Sequence, residues 1–153
     1  MFANDLSDNE ETIWHHTVLE FVVLEPLHRV ALPSGLQKLK YFSGQNMEMM
    51  TLPSGLQQLQ FGDSFNQSIE KVSLPSGLQQ LDFGNDFNQN LEKVVLPSGL
   101  LELTFGTESN FNMSMEKVSL PNSLQKLRFG WDFDQDMEKV VLLFLVFVMH
   151  TCI

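Results

Sequence analysis

The motif L-P-S-G-L occurs at Leu32, Leu52, Leu74 and Leu96 and returns as L-P-N-S-L at Leu120, so most of this chain must fold as copies of one short unit. Successive copies are 20, 22, 22 and 24 residues apart, which defines units 27–46, 47–68, 69–90, 91–114 and 115–136 and the start of a sixth at Met137. In unit 69–90 the apolar residues are Ile69, Val72, Leu74, Leu78, Leu81, Phe83 and Phe87. The pairs Val72/Leu74 and Leu81/Phe83 have the two-residue period of a strand, and no stretch between glycines is long enough for an ordinary helix. Each unit is therefore expected to hold two short strands.

One unit buries too few side chains to offset the entropy of ordering its backbone, so the units must stack. Stacking pairs equivalent strands in parallel at about 4.8 Å and aligns like side chains into columns. Leu-Pro-Ser-Gly fits a type I turn with proline second and glycine fourth. Ser123 replaces that glycine in the last unit, so a left-handed backbone is not required there. Gly44, Gly62, Gly84, Gly106 and Gly130 follow the aromatic end of L-x-x-L-x-F without replacement, which points to positive φ or close contact between coils. The fold class expected is mainly β: one leucine-rich-repeat-like solenoid of about five coils, with two short parallel ladders and few or no helices.

The phrase L-P-S-G-L-Q-Q-L-x-F-G-x-x-F-N-Q, at 52–67 and 74–89, resembles the FNIP repeat, a relative of the leucine-rich repeats. L-E-K-V-x-L-P is similar to the BspA-type repeat. The resemblance covers about 27–142, with Gln67-Ser68, Gln89-Asn90 and Met113-Ser114 standing where the family name has Ile-Pro. It implies a solenoid used for protein contacts, sometimes beside an F-box or another effector domain.

Charge narrows the partners. Lys plus Arg number 9 against 19 Asp plus Glu, a net charge of −10, so nucleic acid and anionic membranes are disfavoured by repulsion over most of the surface. Six of those acids, from Asp5 to Glu25, precede the first base at Arg29, and the array itself is nearly balanced. The single cysteine, Cys152, excludes an internal disulfide framework and fits a reducing compartment or a fold that needs no staple. The acidic start has no signal-peptide pattern, and the longest apolar run, 140–149, is short of the roughly 18 residues of a membrane span. A cytoplasmic location is expected.

The ends depart from the repeat. Residues 1–26 read as an acidic lead and a degenerate capping coil: Ser7 and Glu10 have the spacing of a capping box for a short helix over 11–15, whereas the β-branched and aromatic residues of 17–23 favour a strand. Residues 143–153 form an apolar, non-repeat tail. This tail reads as a truncation or a junction, as a self-association edge, or, through Thr151-Cys152-Ile153, as a PDZ-type ligand.

No catalytic or cofactor-binding constellation stands out, and no enzyme is expected. Asp132, Asp134 and Asp136 have the first spacings of a calcium loop, but Met137 and Leu143 stand where an EF-hand needs glycine and glutamate. His15, His16, His28, His150 and Cys152 form no metal-ligand pattern. Asn66, Asn88 and Asn112 recur at one position and are expected to bond the backbone of neighbouring coils, with Asp134 weakening that ladder. The glycosylation triplets at Asn66 and Asn112 read as the same loop residues.

What remains is surface. If Val72 and Leu74 point inward, Lys71, Lys93 and Lys117 form an outward basic column, beside a column of mostly small residues containing Ser73 and Ser119. A second face carries Lys38/Gln58/Gln80/Glu102/Lys126 and Lys40/Gln60/Asp82/Thr104/Arg128. The basic and small columns read either as a ladder offset by Glu48, Glu70, Glu92, Glu116 and Glu138 or as a contact face for an acidic protein. Two irregularities join the contact candidates: Glu108, in the insertion 107–110, and Trp131, where other units have Asp63 and Asn85. The function expected is a non-catalytic module binding an as yet unidentified protein; the alternative is a truncated or structural array without autonomous activity. A β-helical carbohydrate-active enzyme would need a clustered carboxylate site, and the only cluster is the Asp132 loop.

Overall fold

The computed structural model describes residues 20–23, 32–42, 47, 50–138, 140 and 146–148. These form seven strands in one parallel sheet, ordered as in the chain: β1 (Glu20–Val23), β2 (Lys38–Tyr41), β3 (Gln58–Phe61), β4 (Gln80–Phe83), β5 (Glu102–Phe105), β6 (Lys126–Arg128) and β7 (Val146–Val148). The register carries the repeat spacing directly, since Leu39, Leu59, Leu81, Leu103 and Leu127 lie side by side. The sheet continues past both ends of the recognisable repeat. Glu20 pairs with Lys38, and Lys126 pairs with Val146, so the degenerate first coil and the apolar tail each supply a strand. The lead's expected helix and the last five residues lie outside the described residues.

Among the described residues only one of the two expected ladders forms, from L-x-x-L-x-F. The segment Val72 to Leu74 is confined between a turn at Glu70-Lys71 and Pro75, whose ring nitrogen has no hydrogen to donate to a ladder. Val72 still points inward, but its N–H closes the preceding turn on the Ile69 carbonyl at 3.0 Å. The L-P-S-G turn is shifted by one residue from its expected frame. Leu36, Leu56, Leu78, Leu100 and Leu124 each donate to the carbonyl of the proline three residues earlier, so proline takes the first position and glycine, or Ser123 in the last turn, the third.

The core is a set of columns. Leu36, Leu39, Tyr41, Met47 and their equivalents are buried in coil after coil. The strand phenylalanine stacks on the loop phenylalanine of its own coil at 4.1, 3.9, 4.1 and 3.7 Å for Phe61/Phe65, Phe83/Phe87, Phe105/Phe111 and Phe129/Phe133. Between coils, Phe61, Phe83, Phe105 and Phe129 follow each other at 5.2 to 5.3 Å. The inter-coil spacing lies in the range where stacked rings add to the burial of their area, so two interleaved aromatic columns tie each coil to the next.

The register corrects one glycine assignment. Tyr41 pairs with Phe61, so the residue equivalent to Gly62 is Phe42, and Gly44 lies outside the described residues. Glycine is required further along because the preceding coil fills the space a side chain would take. A Cβ on Gly84 would fall on the Gly62 carbonyl, and one on Gly130 would lie 2.6 Å from the Gly106 oxygen. Close contact between coils, rather than a left-handed backbone, excludes other residues there.

Candidate protein-contact surface

Among the described residues, the coils that contain β3 to β6 each turn three times, which divides a coil into three sides. In the coil that contains β3 the turns lie at Ser54-Gly55, Asp63-Ser64 and Glu70-Lys71, and the pattern repeats through β4, β5 and β6. The first side is the sheet. The second carries the asparagine ladder: Asn66 Oδ1 accepts Asn88 N–H at 3.0 Å, Asn88 accepts Asn112 at 3.1 Å and Asn112 accepts Asp134 at 3.0 Å. These bonds run to the neighbouring coil as expected, although Asn66 and Asn112 are exposed rather than enclosed. Asp134 ends the described ladder as a donor, through its backbone N–H to Asn112.

The sheet's outward side holds two polar columns in register, Lys38/Gln58/Gln80/Glu102/Lys126 and Lys40/Gln60/Asp82/Thr104/Arg128. Their members are half-buried except Thr104, which is buried. Strand alternation places them there, because the second column lies between two inward apolar residues and the first stands immediately before the inward leucine. Thr104 Oγ1 donates to Asp82 Oδ1 at 2.7 Å, and Lys126 Nζ lies 3.0 Å from Glu102 Oε2. Gln60 and Gln80 make longer contacts of 3.4 and 3.5 Å to Asp82 and Glu102. Burial pushes the Asp82 carboxyl above its ordinary value of 3.8, against the opposing pull of Thr104, Arg128 and Lys126. Arg128 reaches the Phe105 carbonyl with one terminal nitrogen, while its Nε is enclosed without a partner among the described residues.

The contact candidates fall on two different corners. Glu108 and Trp131 occupy the turn that directly follows the sheet, and Trp131 is 53% exposed. Lys71, Lys93 and Lys117 occupy the third turn, with Ser73 and Ser119 just beyond it, all exposed. The phenylalanine and asparagine ladders separate the two groups along every coil. The lysine column is partly neutralised by the preceding coil, as Lys93 Nζ lies 3.3 Å from Glu70 Oε1. Beside it, Glu70 to Leu74 and the exposed Val95 line an open depression of about 350 Å³.

The insertion 107–110 leaves the register of β5 and β6 intact. Ser109 turns inward, is fully buried, and accepts Phe111 N–H at 3.1 Å, while Glu108 faces solvent. Among the described residues no group of three or more His, Cys, Asp or Glu side chains is placed to hold a metal ion, and no helix is long and apolar enough to cross a membrane. The sequence displayed the sheet-face columns but gave no reason to prefer them. Two signals were available: their composition changes from coil to coil, and they follow L-x-x-L-x-F, the segment most consistently strand-like.

Comparison with known proteins agrees with this geometry. The FNIP Repeat matches residues 42–86, 65–108 and 111–142. A solved structure described as CroV588, a novel circular LRR protein, superposes with a TM-score of 0.65 at 39% identity, over 77% of this chain and 17% of that one. The present chain thus spans about a sixth of that protein's length. No curated protein matches.

Proposed function

From the premise that this chain belongs to the FNIP repeat family, we propose that it is a non-catalytic module that binds another protein through the outward side of its sheet. The observation that carries this reading is a contrast between the two sides of the same strands. Inward, β2 to β6 present leucine at every central position; outward, the paired positions run from lysine through glutamine and acids to lysine and arginine. Positions needed for stacking repeat, and those that do not repeat are free to carry specificity. Glu108 and Trp131 adjoin this side and form its rim. Lys71, Lys93 and Lys117, with Ser73 and Ser119, are a second contact face on the far corner. A rigid array of half-buried polar side chains suits recognition of a partner surface better than chemistry on a small substrate, which calls for an enclosed pocket.

Crosslinking of the full chain in a cell extract, followed by mass spectrometry, identifies the partner. Capture should then be compared for a sheet variant (Lys38→Glu, Glu102→Lys) and a corner variant (Lys71→Glu, Lys93→Glu). Loss confined to the sheet variant, with both variants folded, is the expected result. Capture of another copy of this chain alone, or capture unaffected by the sheet variant, defeats the proposal.

A further inference from the structure

The charges on the sheet's outward side are ordered along the stack. β2 contributes Lys38 and Lys40, β3 contributes Gln58 and Gln60, β4 and β5 contribute Asp82 and Glu102, and β6 contributes Lys126 and Arg128. Read from coil to coil, the face is basic, neutral, acidic, acidic and basic. The Glu102–Lys126 pair points along the stack with its acid on the earlier coil. Asp82 and Arg128 attract each other in the same sense. The face therefore keeps a patterned field even where its charges are partly paired.

A second copy of this chain is a poor occupant. Laid face to face with strands aligned, two such sheets bring β2 against β2, or β2 against β6, and both arrangements set lysines against bases. We infer that the face takes an extended peptide segment running along the stack, acidic at both ends and basic between them, an inference that rests on the sheet side being the contact surface. Strands about 4.8 Å apart place β2 roughly 12 Å from the midpoint of β4 and β5, and about 19 Å from β6. An extended chain covers about 3.3 Å per residue, so the complementary segment has an acid, a base about four residues on, and a second acid about two residues after that. Half-burial of the sheet charges lowers the effective dielectric around them and makes the pattern count for more than it would on an open surface.

The test uses the full chain and three blocked synthetic peptides in a fluorescence anisotropy titration at low salt. One has the order Glu-Ser-Thr-Ser-Arg-Thr-Glu, one has the same composition scrambled, and one has all three charges inverted. The first should bind about tenfold more tightly than either control, and the preference should collapse in 1 M salt, where the screening length is about 3 Å. The exchange Glu102→Lys with Lys126→Glu keeps an ion pair but reverses its sense, and should abolish the preference. Should that double variant fail to fold, Lys38→Glu alone must reduce it. Equal binding of the three peptides, or a preference that survives both variants, overturns the inference. Equal peptide binding together with sheet-dependent partner capture would defeat the charge pattern alone and leave the interaction reading standing.

Discussion

The side-chain oxygen of Asn88 accepts the backbone N–H of Asn112, the residue one coil later in the same column, at 3.1 Å. The Asn66–Asn88 and Asn112–Asp134 contacts repeat it at 3.0 Å. Asn88→Ala removes the acceptor and should cost about 1 kcal/mol in urea unfolding. Asn88→Asp keeps an acceptor and should cost less; equal losses for the two would show that the hydrogen bond is not what the column provides.

Two glycines of one coil should respond in opposite ways. Gly77 has room for a Cβ, at 3.4 Å from the Ser54 carbonyl. At the equivalent place the chain already carries Ser123, whose hydroxyl lies 2.7 and 2.6 Å from the Ser98 and Leu100 carbonyls of the preceding coil. Gly77→Ser should therefore stabilise by about 1 kcal/mol, through a hydrogen bond of the same kind and a less flexible unfolded chain. Gly84→Ala drives a methyl into the Gly62–Asp63 backbone and should destabilise by about 1–3 kcal/mol. A raised melting temperature for Gly84→Ala would refute the close-contact account.

Burial of Asp82 should give the fold a pH dependence. Burial raises its folded-state pKa above the ordinary 3.8, so the folded chain holds this proton to higher pH than the unfolded chain does. Stability is then lost as pH rises from the ordinary value through the raised one, and the penalty is fully present above it. Asp82→Asn keeps an acceptor for Thr104 and should melt higher than the parent at neutral pH, with the difference vanishing at pH 3. A variant that melts lower at neutral pH would mean that attraction from Lys126 and Arg128 outweighs burial.

Trp131→Ala should leave stability within about 0.5 kcal/mol, because the ring is half in solvent on a turn. A larger loss in thermal melts would assign Trp131 to the fold and remove it from the rim of the contact surface.

The parts of this molecule that were legible in the sequence are those enforced in every coil. Leu81 and Phe83 revealed both strand period and burial because each copy repeats them, and the parallel register followed from the spacing of L-P-S-G-L. Val72 and Leu74 misled, since their two-residue period is the same whether or not a ladder forms. The deciding factors were the turn at Glu70-Lys71 and the proline after Leu74, which leave no length for pairing. Phe42 was misassigned for a related reason: a glycine two residues later, Gly44, satisfied the pattern that the register gives to Phe42. The candidate site was harder to read, because spacing along a coil does not reveal which corner a residue occupies. Trp131 and Lys93 stand out equally in the sequence, and only the three turns separate them.

Outside the strands, backbone N–H groups that bond between coils reach back toward the earlier coil: Asp86 to Asp63, Asn110 to Asn85, Leu101 to Gln79 and Trp131 to Thr107. The stack therefore has a grain, like wood. A coil cut out at one corner and copied in place would meet the same donors on one flank and the same acceptors on the other as any resident coil. Array length becomes an adjustable dimension: copying a 22-residue segment should move two surface patches apart by about 4.8 Å while preserving their orientation along the face.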